Sequence, residues 1–260
     1  MLQIHSVAIN VPFIEIQHQT FKYFMTGDYS FVVFNNGQDT PDFTNNYKTG
    51  VRTEIRQLCE RLNIQCVDVV NDHHSRLCPS ARHIDALQIM LNMQTATSER
   101  YLTLDGDMFP ITPISTDMYS EWDCAVIPQR DTYFWPGYCY FDMAKVSPKH
   151  LLSWDFAPDC DSGGAMQHYL RATENKLKKV QYLCSLQWTA DDYPATLDSR
   201  WLELVKSDGR NVDGKLWSEL YDKQFLHFRD GSNWNRRPIE ETEARLQTLH
   251  KTVFEICRDA

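Results

Sequence analysis

Over its first seventy residues the chain alternates short β-branched runs with stretches of helical spacing, and this alternation limits the available folds more than any other feature. Ile4 to Pro12 is a β-branched run closed by proline and predicts a first strand. Ile14, Phe21, Phe24 and Met25 share one helical face, and Gly27 stops that helix. Tyr29 to Phe34 predicts a second strand, running into the turn residues Asn35, Asn36 and Gly37, and Gln38 to Gly50 is a polar loop. Val51, Ile55, Leu58 and Leu62 space a second amphipathic helix before a third strand, Gln65 to Val70. A β-α-β-α-β order implies a parallel sheet with right-handed crossover helices, hence an α/β fold.

The next strand carries the chemistry. After a loop from Asn71 to Pro79, Ser80 is placed to cap a helix that buries Ile84, Leu87 and Leu91. The apolar run Tyr101 to Leu104 then delivers two carboxylates, Asp105 and Asp107, separated only by Gly106. Alternate residues of an extended segment point the same way, so both acids can meet one cation, while Gly106 permits close backbone approach. In open α/β sheets ligands bind beyond the carboxyl ends of strands, which puts this pair at the rim of a pocket. A hard divalent ion held by few carboxylates keeps positions open for phosphate oxygens.

Charge points to the same solution. A net charge of −9 argues against a nucleic-acid partner, because phosphate-backbone binding draws on clustered Lys and Arg. An acidic chain that handles phosphate recruits a metal instead. No apolar run approaches a membrane span, the N-terminus lacks a signal layout, and the eight cysteines are scattered with no CxxC pair, which together lead to the expectation of a cytoplasmic protein. The loop from Asp72 to Cys78 holds four good ligands, but its spacing matches no zinc pattern.

The second half is read more coarsely. Asp123 to Pro128 is a strand, and Thr132 to Asp142 is dense in aromatics around a turn at Pro136 and Gly137. Asp159 to Gly164 precedes a long helix with Met166, Leu170, Thr173, Leu177 and Val180 at helical spacing. Gln187 to Gly214 has no clear period and is assigned to loops. His227-Phe-Arg-Asp-Gly-Ser-Asn-Trp234 closes the functional part, and a final helix from Pro238 through Cys257 buries Leu246, Leu249, Val253 and Ile256.

With these features in order, the chain resembles nucleotide-sugar-dependent glycosyltransferases of the GT-A fold. The motifs carrying the resemblance are the β-α-β-α-β opening, Asp105 and Asp107 as a DxD motif after a strand, the aromatic segment, Asp161-Ser-Gly-Gly164 before a helix, and the late segment from His227 to Trp234. The resemblance implies a single GT-A domain over 1–260, with 1–110 holding the nucleotide sugar and 111–260 the acceptor side. It implies Mn²⁺ or Mg²⁺ at Asp107, with Asp105 contacting the metal or the donor ribose. In glycogenin-like members a histidine in a late His-Phe-x-x-Gly segment is a further ligand, here His227, although Ser232 and Asn233 stand where Lys-Pro precedes the tryptophan.

Further roles follow from position. Asn10, Val11, Pro12, Asn36 and Asp72 lie at strand ends where the family holds the base and ribose, and Arg82 resembles the basic residue aimed at the diphosphate. Asp161, with Asp159 next, is the candidate general base toward an acceptor hydroxyl; the alternative for Asp161 is a helix N-cap. The expected partners are a nucleotide-diphosphate-sugar donor and a glycan or other hydroxyl acceptor. Two other readings stand beside this one: a sugar-nucleotide pyrophosphorylase, whose Gly-rich loop and lysine are not visible after Val11, and a non-catalytic carbohydrate- or protein-binding module.

Overall fold

The computed structural model describes residues 1–41, 47–69, 79–130, 132–173, 178–180, 182–183, 188–232 and 237–258. In chain order the elements are β1 (Leu2–Ala8), α1 (Val11–Phe24), β2 (Met25–Thr26), β3 (Tyr29–Asn35), α2 (Val51–Leu62), β4 (Gln65–Asp68), α3 (Pro79–Thr95) and β5 (Arg100–Asp105). There follow β6 (Met108–Pro110), β7 (Ile114–Ser115), β8 (Cys124–Gln129), β9 (Tyr133–Asp142), α4 (Gln167–Thr173), β10 (Lys178–Lys179), β11 (Tyr182–Leu183), α5 (Ser199–Lys206), β12 (Glu219–Tyr221), β13 (Phe225–His227) and α6 (Ile239–Arg258). They fall into two compact units that interleave in sequence.

The first unit comprises residues 1–11, 27–106 and 116–180. Its seven-stranded sheet runs in the order β10-β8-β9-β5-β1-β3-β4. β5, β1, β3 and β4 are mutually parallel, as the alternation predicts, while β9 runs antiparallel between β5 and β8. Strand residues alternate faces, so Val7, Val32, Phe34 and Tyr101 join one core with Ala86, Leu87, Met90 and Leu91 of α3. Fully burying each large apolar side chain there contributes about 1.5–3 kcal/mol. His5 sits mid-strand among these residues, its ring centroid 5.1 Å from that of Phe34 and 4.9 Å from that of Tyr101. The result is an α/β fold with a mostly parallel sheet.

The second unit comprises residues 12–26, 107–115 and 181–260. Its core joins Phe13, Ile16 and Phe24 of α1, Trp201, Leu204 and Val205 of α5, and Leu249, Val253 and Ile256 of α6. A four-stranded sheet, β11-β12-β13-β6, is antiparallel throughout. The β12–β13 turn is made by Asp222 and Lys223, both left-handed with φ of 49° and 56°, and is closed by the Gln224 N–H donating to the Tyr221 carbonyl.

Several sequence expectations are corrected. The first strand ends at Ala8, and Pro12 is the second residue of α1, where its missing N–H is one that a first turn leaves unpaired anyway. The first helix ends at Phe24, and Met25 pairs with Ile114 as β2. Ser80 lies inside α3, which begins at Pro79. Pro136 and Gly137 make no turn but lie within a continuous β9. The register between β8 and β9 shifts between Val126 and Pro128, so β9 bulges and proline's missing donor breaks no ladder there.

The long helix after Gly164 is also absent. α4 has seven residues, and beyond it Lys178–Lys179 pairs with β8 as an edge strand. Val180 is buried there, with its N–H on the Val126 carbonyl, so the sheet edge rather than a helix uses that residue. The stretch assigned to loops contains α5, capped by the Asp198 carboxylate accepting from the Arg200 N–H. The final helix is present as Ile239–Arg258. Asp72, most of its loop, Leu177 and Trp234 lie outside the described residues.

Candidate metal centre

The site is built from the ends of parallel strands. Register places Val7 of β1 beside Asp105 of β5, and Ala8 beside Asn35 of β3, so the carboxyl ends of three adjacent strands finish together. Gly106 makes the exit from β5 possible, since a Cβ there would lie 2.9 Å from the Val7 carbonyl oxygen. On the same edge the Asn36 N–H donates to the Ala8 carbonyl, and its side-chain amide donates to the Arg82 carbonyl at 3.2 Å, tying the start of α3 to the strand ends. The side-chain carbonyl oxygens of Asn10 and Asn36 are buried and unpaired among the described residues. Val11 and Pro12 open α1, and Arg82 is buried in the first turns of α3. His83, which sequence reasoning did not single out, brings its Nε2 within 3.4 Å of the Asp105 carboxylate.

Asp107 is fixed by its own surroundings in the second unit. Its backbone carbonyl accepts the Phe228 N–H at 2.9 Å, and its Oδ2 accepts the Gly231 N–H at 3.0 Å. Gly231 is needed at that approach, because a Cβ would meet the Phe13 ring at 2.4 Å and the Phe228 carbonyl oxygen at 2.9 Å. Asp230, just before it, is left-handed at φ 63° and fully enclosed. It is held by Arg210, which is paired with both Asp208 and Asp230 and also donates to the Arg229 carbonyl.

His227 arrives on β13, where the register sets it opposite Met108 of β6 on one side and Glu219 of β12 on the other. Its Nδ1 lies 2.9 Å from Glu219 Oε2, and its Nε2 lies 3.4 Å from Asp107 Oδ1. Burial disfavours a charged ring, but the charges and hydrogen bonds of Asp107 and Glu219 outweigh it and push the His227 pKa up to about 10. For Glu219 burial alone would raise the pKa, yet His227, Tyr221 and Arg229 hold it below the usual carboxylate value. Asp107 and His227 thus sit side by side within the second unit, and Asp105 precedes Asp107 by two residues in the chain. Two hard carboxylates suit Mn²⁺ or Mg²⁺, and the imidazole, a donor for transition metals, favours Mn²⁺ of the two, so the donor chemistry fits an ion that the resemblance implies.

The candidate bases sit in a turn of the first unit. The Asp161 carboxylate accepts the Ser162 N–H at 2.8 Å and the Ser162 hydroxyl at 3.3 Å. This turn leads into Gly163, left-handed at φ 84° and packed against the Phe134 carbonyl. Asp159 is left-handed at φ 60°, and its carbonyl accepts from Arg130. Of the aromatics, Tyr133, Phe134, Tyr138 and Tyr140 are buried, while Trp135 is partly exposed.

Fold and site together define an α/β protein whose candidate metal ligands are Asp105, at the end of a parallel strand, and the Asp107–His227 pair. No family model matches the sequence, and no curated protein matches it. Solved structures to which the chain is similar include the glycosyltransferase GlyE of Streptococcus pneumoniae TIGR4, at 13% identity and a TM-score of 0.40 over 69% of this chain and 45% of that one. They also include the galactosyltransferase LgtC in complex with donor and acceptor sugar analogs, at 11% identity and a TM-score of 0.41 over 70% of this chain and 73% of that one. The match thus spans less than half the length of GlyE. At such TM-scores neither likeness carries an argument, and the function is argued from the site. No helix among the described residues is long and apolar enough to cross a membrane.

Proposed function

We propose that this chain is a metal-dependent glycosyltransferase that moves a sugar from a nucleotide-diphosphate-sugar donor to a hydroxyl acceptor. The observation that carries the reading is the pairing of Asp107 with His227, an acid and an imidazole brought together from distant parts of the sequence, with Asp105 two residues before Asp107 at the end of a parallel strand. A divalent cation held by these groups would supply Lewis-acid stabilisation of the departing nucleoside diphosphate. Asp107, pinned by the Gly231 N–H, presents its other oxygen on the side of His227, and Asp105 faces His83. The carbonyl oxygens of Asn10 and Asn36, without a partner among the described residues, can accept from the base or ribose, which supports assigning the donor to these strand ends. Arg82 is the candidate cation for the diphosphate. Asp161, or Asp159, is the candidate base for deprotonating the acceptor hydroxyl in an inverting reaction.

Release of nucleoside diphosphate from a panel of sugar nucleotides, with Mn²⁺ and with EDTA, tests this reading. Activity should appear for one nucleotide class, require the metal, and fall by at least about a hundredfold in Asp107→Asn, the scale of losing a principal electrostatic group. Release that persists in EDTA, or in Asp107→Asn at the wild-type rate, would contradict it.

A further inference from the structure

His227 is more constrained than a lone metal ligand would be. β12 and β13 set Glu219 directly opposite it, and cross-strand partners on one face of an antiparallel pair have Cβ atoms about 4.5–5.5 Å apart. Glu219 Oε2 lies 2.9 Å from Nδ1, the nitrogen turned away from Asp107, while Nε2 is turned toward it. The carboxylate is itself held. Tyr221 donates its hydroxyl to the same Oε2, and Arg229 places Nη1 3.9 Å from Oε1. Arg229 is in turn seated 4.4 Å from the centroid of the Trp217 ring. The Glu219 and His227 side chains are both about nine-tenths enclosed, so this arrangement is internal to the unit and not a surface ion pair.

The geometry points to Glu219 as the positioning residue that fixes the His227 ring, with Nδ1–H donating to it and Nε2 facing Asp107, so that the imidazole is oriented before a divalent cation arrives. This inference rests on the metal-centre reading above and adds to it a residue that acts through the histidine. A carboxylate behind a metal-ligating histidine fixes the ring orientation and raises the basicity of the coordinating nitrogen, and its loss costs about 10–100-fold in metal affinity. The sequence hides the pair because its two residues lie eight positions apart across a hairpin.

Titration of the full chain with Mn²⁺ alone, followed by the paramagnetic signal of the free ion, tests it. Pulsed measurement of the ¹⁴N coupling from the bound imidazole is the second readout. Glu219→Ala should weaken Mn²⁺ binding by about 10–100-fold and diminish the nitrogen coupling. Glu219→Gln, which keeps an acceptor oxygen for Nδ1–H, should recover a substantial part of both. Tyr221→Phe keeps the ring and removes one hydrogen bond to Glu219, so it should weaken binding by a few-fold if Glu219→Ala does not fold.

Wild-type affinity and coupling in folded Glu219→Ala, alongside weakened binding in His227→Ala, would overturn the positioning role and leave the metal centre standing. If Glu219→Ala does not fold, wild-type affinity in Tyr221→Phe would overturn it in the same way. A wild-type chain that binds no Mn²⁺, or a His227→Ala chain that binds it as wild type does, would remove the centre and the inference together.

Discussion

Replacing Gly106 with alanine tests how tightly the two aspartates are placed. The added Cβ would stand 2.9 Å from the Val7 carbonyl oxygen, where ordinary contact begins at 3.4 Å, so the chain must yield by about 0.5 Å. The neighbour is backbone in the middle of a parallel sheet, held by pairing to β3 and β5, and cannot rotate away as a side chain would. The shift falls instead on the exit from β5, between the two acids. Metal sites tolerate departures of about 0.2 Å in ligand distance, so a displacement of this size should detach one carboxylate. The expected outcome in a calorimetric Mn²⁺ titration is a loss of affinity of at least about tenfold, roughly 1.4 kcal/mol. The φ of Gly106 is not left-handed, so alanine brings no conformational penalty of that kind, and urea unfolding should move by less than about 2 kcal/mol. Wild-type Mn²⁺ affinity in a folded Gly106→Ala chain would refute the reasoning.

Two further predictions concern stability. His5 is 4% exposed, and burial lowers its pKa from 6.5 to about 4; the Gln94 amide nitrogen, 3.1 Å from Nδ1, can only donate, so the ring is neutral there. The unfolded chain takes up this proton first, so stability is complete above pH 6.5 and falls by about 3 kcal/mol as the pH drops toward 4. Urea unfolding at a series of pH values should show that loss in the wild type and a shallower one in His5→Gln, while equal slopes would count against it. Arg210→Met should cost about 3 kcal/mol by urea unfolding, at the low end for breaking a buried pair, because Arg245 and Arg237 remain within 3.9 Å and 3.6 Å of Asp208 and Asp230. A change below 1 kcal/mol would show that these acids need no internal cation.

The parallel sheet was legible because short strand-like runs such as Phe31 to Phe34 alternate with helical spacing, and α2 keeps one face apolar through all three turns, from Val51 to Leu62. Asp105 and Asp107 were legible because both sit within three residues of the strand that aims them, and His227 only through its resemblance to a late motif. What stayed hidden depends on pairing between distant segments. β12 and β13 are three residues each, too short for a period, and the turn residues Asp222 and Lys223 carry none of the glycine signal that marks a hairpin. Glu219 and His83 were missed for the same reason, since each acquires meaning only from the side chain that folding sets opposite it. The helical spacing that reaches Val180 runs into an edge strand, where Lys178 and Lys179 pair with β8, and pairing outweighs local pattern. α5 spans about two turns, so Trp201, Leu204 and Val205 give one repeat of the spacing and no more.

The most direct test of the central claim is calorimetric titration of the wild-type chain and Asp107→Asn with the common nucleoside diphosphates, each with and without Mn²⁺. One nucleotide should bind the wild type only when the metal is present, and Asp107→Asn should lose that binding by at least about tenfold. Binding of equal strength without metal, or no binding of any nucleotide in its presence, would contradict a metal-held diphosphate at Asp105, Asp107 and His227.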